Sequence, residues 1–374
     1  MRARWILVLA AAAARIAGCQ APTDGEGKAA ETTAPARDRS RVYLTVNFEQ
    51  GKTLRYRIAS KRAVTLDWDP NAAAAKNRVE HRQEQMEAII GYKPAAVDSY
   101  GVSTVCATVE SISVSRSGGV VARSQAVDAV ESATGKSFLL KVDARGRIVD
   151  TNELRSLIQE MGEKTFQTGG RGGRIKNPDM IGDFVAGVWF LWDGVATIPR
   201  PAEGLAIGQT WTSQLSVPTP MVMRKARDVT YRFNGIRSGP RGAAAVIEST
   251  YSLADSAPTD WPVPYSGRFR VAGTFGFLGP YEALSLEGMG EELYNMQAGR
   301  LEQRRQTYTM LIRASVPPMG IEAHPHITIE QTLVAELLEE HDGESMSGSL
   351  KSETHSKAPH PNDRTAAVAS DKPF

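Results

Sequence analysis

Runs in which apolar and polar residues alternate one by one recur along most of this chain, and that period of two constrains its fold most. A strand turns successive side chains to opposite faces, so alternation marks a ribbon with one face in a core. Val42, Leu44, Val46 and Phe48 alternate with Arg41, Tyr43, Thr45 and Asn47. Glu49-Gln50-Gly51 then turns the chain and residues 53–58 alternate again, which predicts a hairpin. Residues 102–114 and 136–142 read as further strands, followed by a tight turn at Asp143–Arg147 whose Gly146 can take positive φ. Strand patterns return at 209–217, 227–236, 243–253, 267–277, 291–297, 301–313 and 325–338. Segment 78–90 reads two ways. Its Glu, Gln, Arg and Met favour helix by propensity, while flanking strands and a missing cap favour a long strand, and the balance tips slightly to strand.

Two segments stand apart from this pattern. Leu154, Leu157, Ile158 and Met161 fall at helical spacing after a capping pair, Asp150 with Glu153, so 150–162 reads as a helix with one narrow apolar stripe. Residues 180–198 are apolar except for Asp183 and Asp193, and two carboxylates in so short a run argue against a membrane span. That segment reads as a buried or lid-like helix, with 184–192 the most apolar stretch after the leader. A length of 374 residues favours two domains. The fold class expected is therefore mainly β, a β-rich α+β chain of two tandem antiparallel-sheet domains with a few packed helices. The expected boundaries are an N-terminal β domain at 41–168, a Gly-rich connector and apolar helix at 169–200, and a second β domain at 201–340. The halves repeat features in order, which points to an internal duplication. Gly51-Lys-Thr-Leu54 answers Gly208-Gln-Thr-Trp211, and Gly146-Arg-Ile148 answers Gly299-Arg-Leu301.

The first 18 residues have the parts of an export signal: Arg2 and Arg4, then an apolar run from Trp5 to Ala14 too short to span a bilayer. Ile16-Ala17-Gly18-Cys19 follows and resembles the lipobox of bacterial lipoproteins, although Arg15 puts a charge at the end of the apolar core. The resemblance implies cleavage before Cys19 and attachment of diacylglyceryl and acyl (palmitate-type) groups there, which would hold the protein on a membrane. Gln20 next to the cysteine implies, by the sorting rule of such lipoproteins, the periplasmic face of the outer membrane in preference to the inner one. Residues 19–40 and 341–374 lack core residues and read as a disordered tether and tail. Cys106, the second of two cysteines, then has no partner in the chain and reads as a small buried hydrophobe on a strand. Of 44 basic residues three lie in the leader, which leaves 41 against 42 acidic ones. That balance gives no footprint for nucleic acid. The run Leu191-Trp192, Ile198-Pro199 and Ile207–Trp211, with the Gly-Arg-[Ile/Leu] turns, resembles a family of uncharacterised β-rich exported lipoproteins. That resemblance implies architecture and carries no functional residue.

Chemistry-bearing motifs are thin. His324-Pro325-His326 puts two imidazoles on one strand face without an evident third ligand and reads as surface. Asp67-Trp68-Asp69-Pro70-Asn71 begins like a calcium loop, but Ala72 and Arg78 stand where glycine and a bidentate glutamate belong, so it reads as a polar turn. The glycine run 169–173 lacks the Lys-Ser/Thr of a phosphate loop, and Glu291-Glu292 reads as a solvated turn. No nucleophile elbow, Ser-x-x-Lys pair or His-Glu-x-x-His helix occurs in the folded region. The expectation is an envelope lipoprotein with no catalytic, cofactor or metal site, Cys19 as its lipid attachment point, and a role as binding or scaffold module. A carrier of a hydrophobic ligand such as lipid is the second reading, and an enzyme with a dispersed site the third.

Overall fold

Alternation is carried furthest by β1 (Lys52–Asp67), where Leu54, Tyr56, Ile58, Val64 and Leu66 are buried on one face. The computed structural model describes residues 41–72, 78–118, 128–167, 174–175, 180–219, 225–239, 241–256, 270–271, 278–316 and 324–342. Ten further strands join β1 in one antiparallel sheet. In chain order they are β2 (Val79–Val97), β3 (Ser103–Gly118), β4 (Ser137–Val142), β5 (Ile148–Asp150), β7 (Thr210–Ser216), β8 (Ala226–Gly239), β9 (Gly242–Leu253), β11 (Tyr281–Asn295), β12 (Arg300–Ala314) and β13 (His326–Asp342). A small parallel pair, β6 (Arg174–Ile175) with β10 (Arg270–Val271), stands outside it. Segment 78–90 is strand, within β2.

The order across the sheet is β5-β4-β3-β2-β1-β13-β12-β11-β9-β8-β7. The mainly β, antiparallel character matches the sequence reading, but the two expected tandem sheets are one. The join is β1 with β13, paired from Lys52↔Asp342 to Asp67↔His326. Both are long and carry strong alternation, so each satisfies its backbone groups on both sides and neither is left as an edge. Within the sheet, β1 to β5 form one run of neighbouring strands, and β7, β8, β9, β11 and β12 another. Gly51 and Gly208, at φ of 84° and 85°, enter the first strand of each run, and Gly146 and Gly299 enter the fifth. The short motifs that suggested a duplication therefore occupy matching places, with β13 the additional strand.

The expected hairpin of 42–48 with 53–58 does not form, because both sides of β1 are taken by β2 and β13. Residues 41–48 instead run as an extended strap along the ends of other strands. Val42 exchanges backbone bonds with Leu205, Val46 donates to the Ala144 carbonyl, and Asn47 donates to that of Gly299. Leu44, Val46 and Phe48 are buried beneath it, which explains the alternation. The strap also explains two glycines. A Cβ on Gly146 would lie 2.6 Å from Val46 Cγ2, and one on Gly299 would lie 2.8 Å from the Thr45 carbonyl.

α1 (Asn152–Gln167) buries Leu154, Leu157, Ile158 and Met161, the stripe read from sequence. At its N-terminus Asp150 accepts from the Asn152 amide and Glu153 accepts from the Leu139 amide of β4. α2 (Ile181–Trp189) and α3 (Asp193–Ala196) lie on the buried face of the sheet.

Because β1 and β13 share their whole length, the halves should not part. Calorimetry of the intact protein should give one unfolding transition. Residues 41–168 expressed alone expose the 16-residue edge of β1 and should aggregate or stay unfolded. Two transitions, or a monomeric folded fragment by NMR, would show independent halves.

Candidate functional site

The inner face of the sheet is covered over β1 and β13 by residues 180–198, while α1 and residues 129–133 pack over β4 and β3. Ile181, Phe184, Val185, Val188, Leu191, Trp192 and Val195 are buried there. Trp192 meets Phe48 and Tyr92 edge to face, each with ring centroids 5.6 Å apart. α2 comes so close to β1 that a Cβ on Gly187 would lie 2.5 Å from Ile58 Cγ2. Ile148 of β5 and Gln214 of β7, on the two edge strands, line one cleft of about 240 Å³ together with Trp189 and Thr197. The sheet is thus curled until its edges flank the helical segment, which plugs the seam.

Two carboxylates hold this plug. Asp183 of α2, 1% exposed, accepts from Ser60 Oγ at 2.7 Å, Arg62 Nη1 at 2.9 Å and Gln331 Nε2. Arg62 also donates to Glu84 through Nε at 2.8 Å and through Nη2. Burial pulls the Arg62 guanidinium down, yet Asp183 and Glu84 outweigh it and hold the group above its ordinary range. These residues belong to a row that crosses the inner face with one member per strand: Arg116, Glu84, Arg62, Gln331, Tyr308, Gly288 and Tyr251.

Asp193, at the start of α3, accepts from Tyr231 Oη at 2.8 Å and Ser213 Oγ at 3.2 Å. Burial raises its pKa, and the hydrogen bond from Tyr231 opposes the rise. Beside it Trp211 Nε1 donates to the Gly194 carbonyl at 3.0 Å. Glu292 of β11 presses against Gly194, where a Cβ would meet its Oε2 at 2.3 Å. Burial pushes the Glu292 carboxyl up to about 7, against the pull of Arg304, whose Nε is 3.2 Å from Oε1.

A third group has no acid paired with it among the described residues. Arg227 of β8 is 1% exposed and its guanidinium lies between the rings of Tyr251 and Tyr308, 4.6 and 4.7 Å from their centroids. Its Nη2 donates to Gln306 Oε1 at 2.8 Å.

The residues singled out in the sequence fall elsewhere. Cys19 and the glycine run 169–173 lie outside the described residues. His324 is exposed, His326 starts β13, and among the described residues no group of three or more His, Cys, Asp or Glu could hold a metal. Asp67 and Asp69 accept from the amides of Asp69 and Asn71, so their turn is internally bonded. Cys106 is half-buried on β3. Glu291 and Glu292 are not in a turn: they sit mid-strand on opposite faces, Glu291 paired outside with Arg237 and Glu292 buried within. Sequence reasoning found Asp183 and Asp193 but missed Arg62, Glu84, Arg227, Gln306 and Gln331. The available signal was phase, since Ile58, Ser60, Arg62 and Val64 share one parity and hence one face.

No family model matches this chain, and no curated protein matches it. Among solved structures it is similar to lipovitellin, in a structure of lipid–protein interactions, with 11% identity over 81% of this chain and a TM-score of 0.34. It spans 27% of that protein's length. It is also similar to a protein from Bacteroides fragilis NCTC 9343 with a YmcC-like fold, described as exported, with 10% identity over 77% of this chain and 97% of that one and a TM-score of 0.22. Likenesses this weak carry no argument about function. Among the described residues no helix is long and apolar enough to cross a membrane.

Two variants check the geometry. Asp183→Ala strands Arg62, Ser60 and Gln331 in the interior and should cost about 3–5 kcal/mol in chemical denaturation. Glu292, with a folded pKa raised from the ordinary carboxylate range to about 7, favours the fold in its protonated form. Its contribution is full below about pH 4.5 and is lost as pH rises through 7, by at most about 3 kcal/mol. Glu292→Gln should therefore flatten stability between pH 5 and 7.5, and an unchanged slope would place the titration elsewhere.

Proposed function

We propose that this protein is a lipid-anchored envelope protein without catalytic activity, whose folded part is a binding module for a hydrophobic ligand. The anchor reading rests on the leader and Cys19, and implies a place on the periplasmic face of a membrane, the outer one in preference to the inner. The ligand reading rests on one observation: the inner face of the curled sheet is covered over β1 and β13 by a helical stretch of chain, residues 180–198, and not by a second sheet. Residues 184–192 put Phe184, Val185, Val188 and Leu191 where an acyl chain would lie on the same apolar wall, which includes Ile58, Met86, Ile90 and Ile312. The plug is held by hydrogen-bonded carboxylates at two points, so its docking has discrete contacts that a ligand can compete with. Apolar burial of about 25 cal/mol per Å² favours the plug and a lipid chain alike, which keeps the exchange near balance.

Two experiments test this. Cys19→Ala should move the protein from the membrane to the soluble fraction, and the native mass should fit the chain from Cys19 with its lipid. An unacylated mature mass removes the anchor. The Cys19→Ala protein, purified without detergent, should carry lipid in native mass spectrometry, and Trp189 and Trp192 fluorescence should respond to oleate. Gly187→Ala, which crowds the plug against Ile58, should raise the apparent affinity by enlarging the open population. If no lipid co-purifies and the fluorescence never changes, the module is a scaffold.

A further inference from the structure

Two arginines are buried on the inner face in different settings: Arg62 is ion-paired twice and Arg227 is not. Around Asp183 every strong charge has a partner. Arg227 does not: its guanidinium makes no ion pair among the described residues, and its Nε and Nη1 lack any acceptor. Gln306 Nε2 and the Tyr308 hydroxyl beside it also lack partners. A buried cation with unused donors is costly unless an anion completes it. The rings of Tyr251 and Tyr308 attract the charge but offer no acceptor to an N–H in the guanidinium plane.

The fold makes room for this group deliberately. Between β9 and β12 two successive inward positions of β11 are glycines, Gly288 and Gly290. A Cβ on Gly290 would lie 2.4 Å from Tyr251 Oη and 2.6 Å from Ser249 Oγ, and one on Gly288 would lie 2.5 Å from Tyr308 Cβ. Without side chains there, Arg227 of β8 reaches across two strands to Gln306 of β12. The plug lies within electrostatic reach, since Arg304 and then Arg227 pull against the burial that raises the Asp193 carboxyl. In the ligand-bound state proposed above, with α3 displaced, the Asp193 carboxyl is gone and Arg227 faces the inner surface.

We propose that Arg227, Gln306 and Tyr308 form an internal site for the carboxylate of an amphiphile whose acyl chain lies on the apolar inner face. This rests on the ligand-binding reading above and names its headgroup. The carboxylate accepts from Arg227 Nε or Nη1, from Gln306 Nε2 and from the Tyr308 hydroxyl, and it replaces the field of Asp193. A fatty acid satisfies both halves of the site, and a neutral alcohol of equal chain length satisfies only one.

The test uses the full-length Cys19→Ala protein and three probes followed by tryptophan fluorescence: oleate, oleyl alcohol and acetate. Oleate should bind at least ten-fold more tightly than oleyl alcohol, and acetate not measurably. Arg227→Met should abolish the preference by weakening oleate alone, and should raise the melting temperature of the unliganded protein by removing an unpaired buried charge. Gln306→Leu combined with Tyr308→Phe, which keeps the arginine, should reduce the preference in part and serves if the methionine variant does not fold. Equal binding of oleate and oleyl alcohol, or unchanged oleate affinity in the variants, overturns the carboxylate site and leaves the ligand reading intact. Binding of neither amphiphile overturns both. A lower melting temperature with unchanged oleate affinity makes Arg227 structural.

Discussion

The pairing of β1 with β13 determines the rest of the architecture. It brings the beginning and the end of the strand-forming sequence together at the centre of the sheet, which leaves β5 and β7 as the edges. Those two strands are joined through residues 151–209, so the connection must pass from one edge of the curled sheet to the other. Placing an apolar helix in that connection puts it across the seam. The position of the plug is thus a consequence of strand order, and its apolar composition lets it stay there.

What holds the plug in register is polar. A buried ion pair costs solvation that its mutual attraction barely recovers, and well-packed apolar residues of the same volume would often be more stable. Asp183 with Arg62, Ser60 and Gln331, and Asp193 with Tyr231 and Ser213, therefore contribute geometry more than stability. An apolar helix on an apolar wall can slide or rotate at small cost. Two carboxylates ten residues apart, each with its own donors, select one placement. A plug of this kind is firmly located without being firmly bound.

Much of the sheet was legible in the sequence because its physics is local. Alternation marks a strand wherever one face is buried, and the α1 stripe follows from helical spacing. The apolar run 180–198 announced itself by hydrophobicity and by the oddity of its two aspartates. Long-range choices were not legible. Nothing near Lys52 says that its partner is Asp342, so two sheets were as consistent with the pattern as one. β11 was expected at 291–297 but begins at Tyr281, because Glu287-Gly-Met-Gly-Glu291 has the composition of a turn. Its glycines answer crowding from β9 and β12, which is visible only in three dimensions. The inward arginines and glutamines failed for the opposite reason: residue type said surface, while strand phase said interior.

The strap has a consequence for how the chain acquires its shape. Residues 41–48 are made before every strand of the sheet, yet the groups they need come later: Ala144, Leu205 and Gly299 receive their backbone, and Tyr294 Oη reaches Thr45 across 249 residues of sequence. β1 likewise waits for β13. β1 can pair with β2 as soon as β2 is made, but residues 41–48 and the other side of β1 meet their native neighbours only when much later parts of the chain emerge. Closure of the sheet therefore belongs to the end of synthesis, whatever local hairpins form before it.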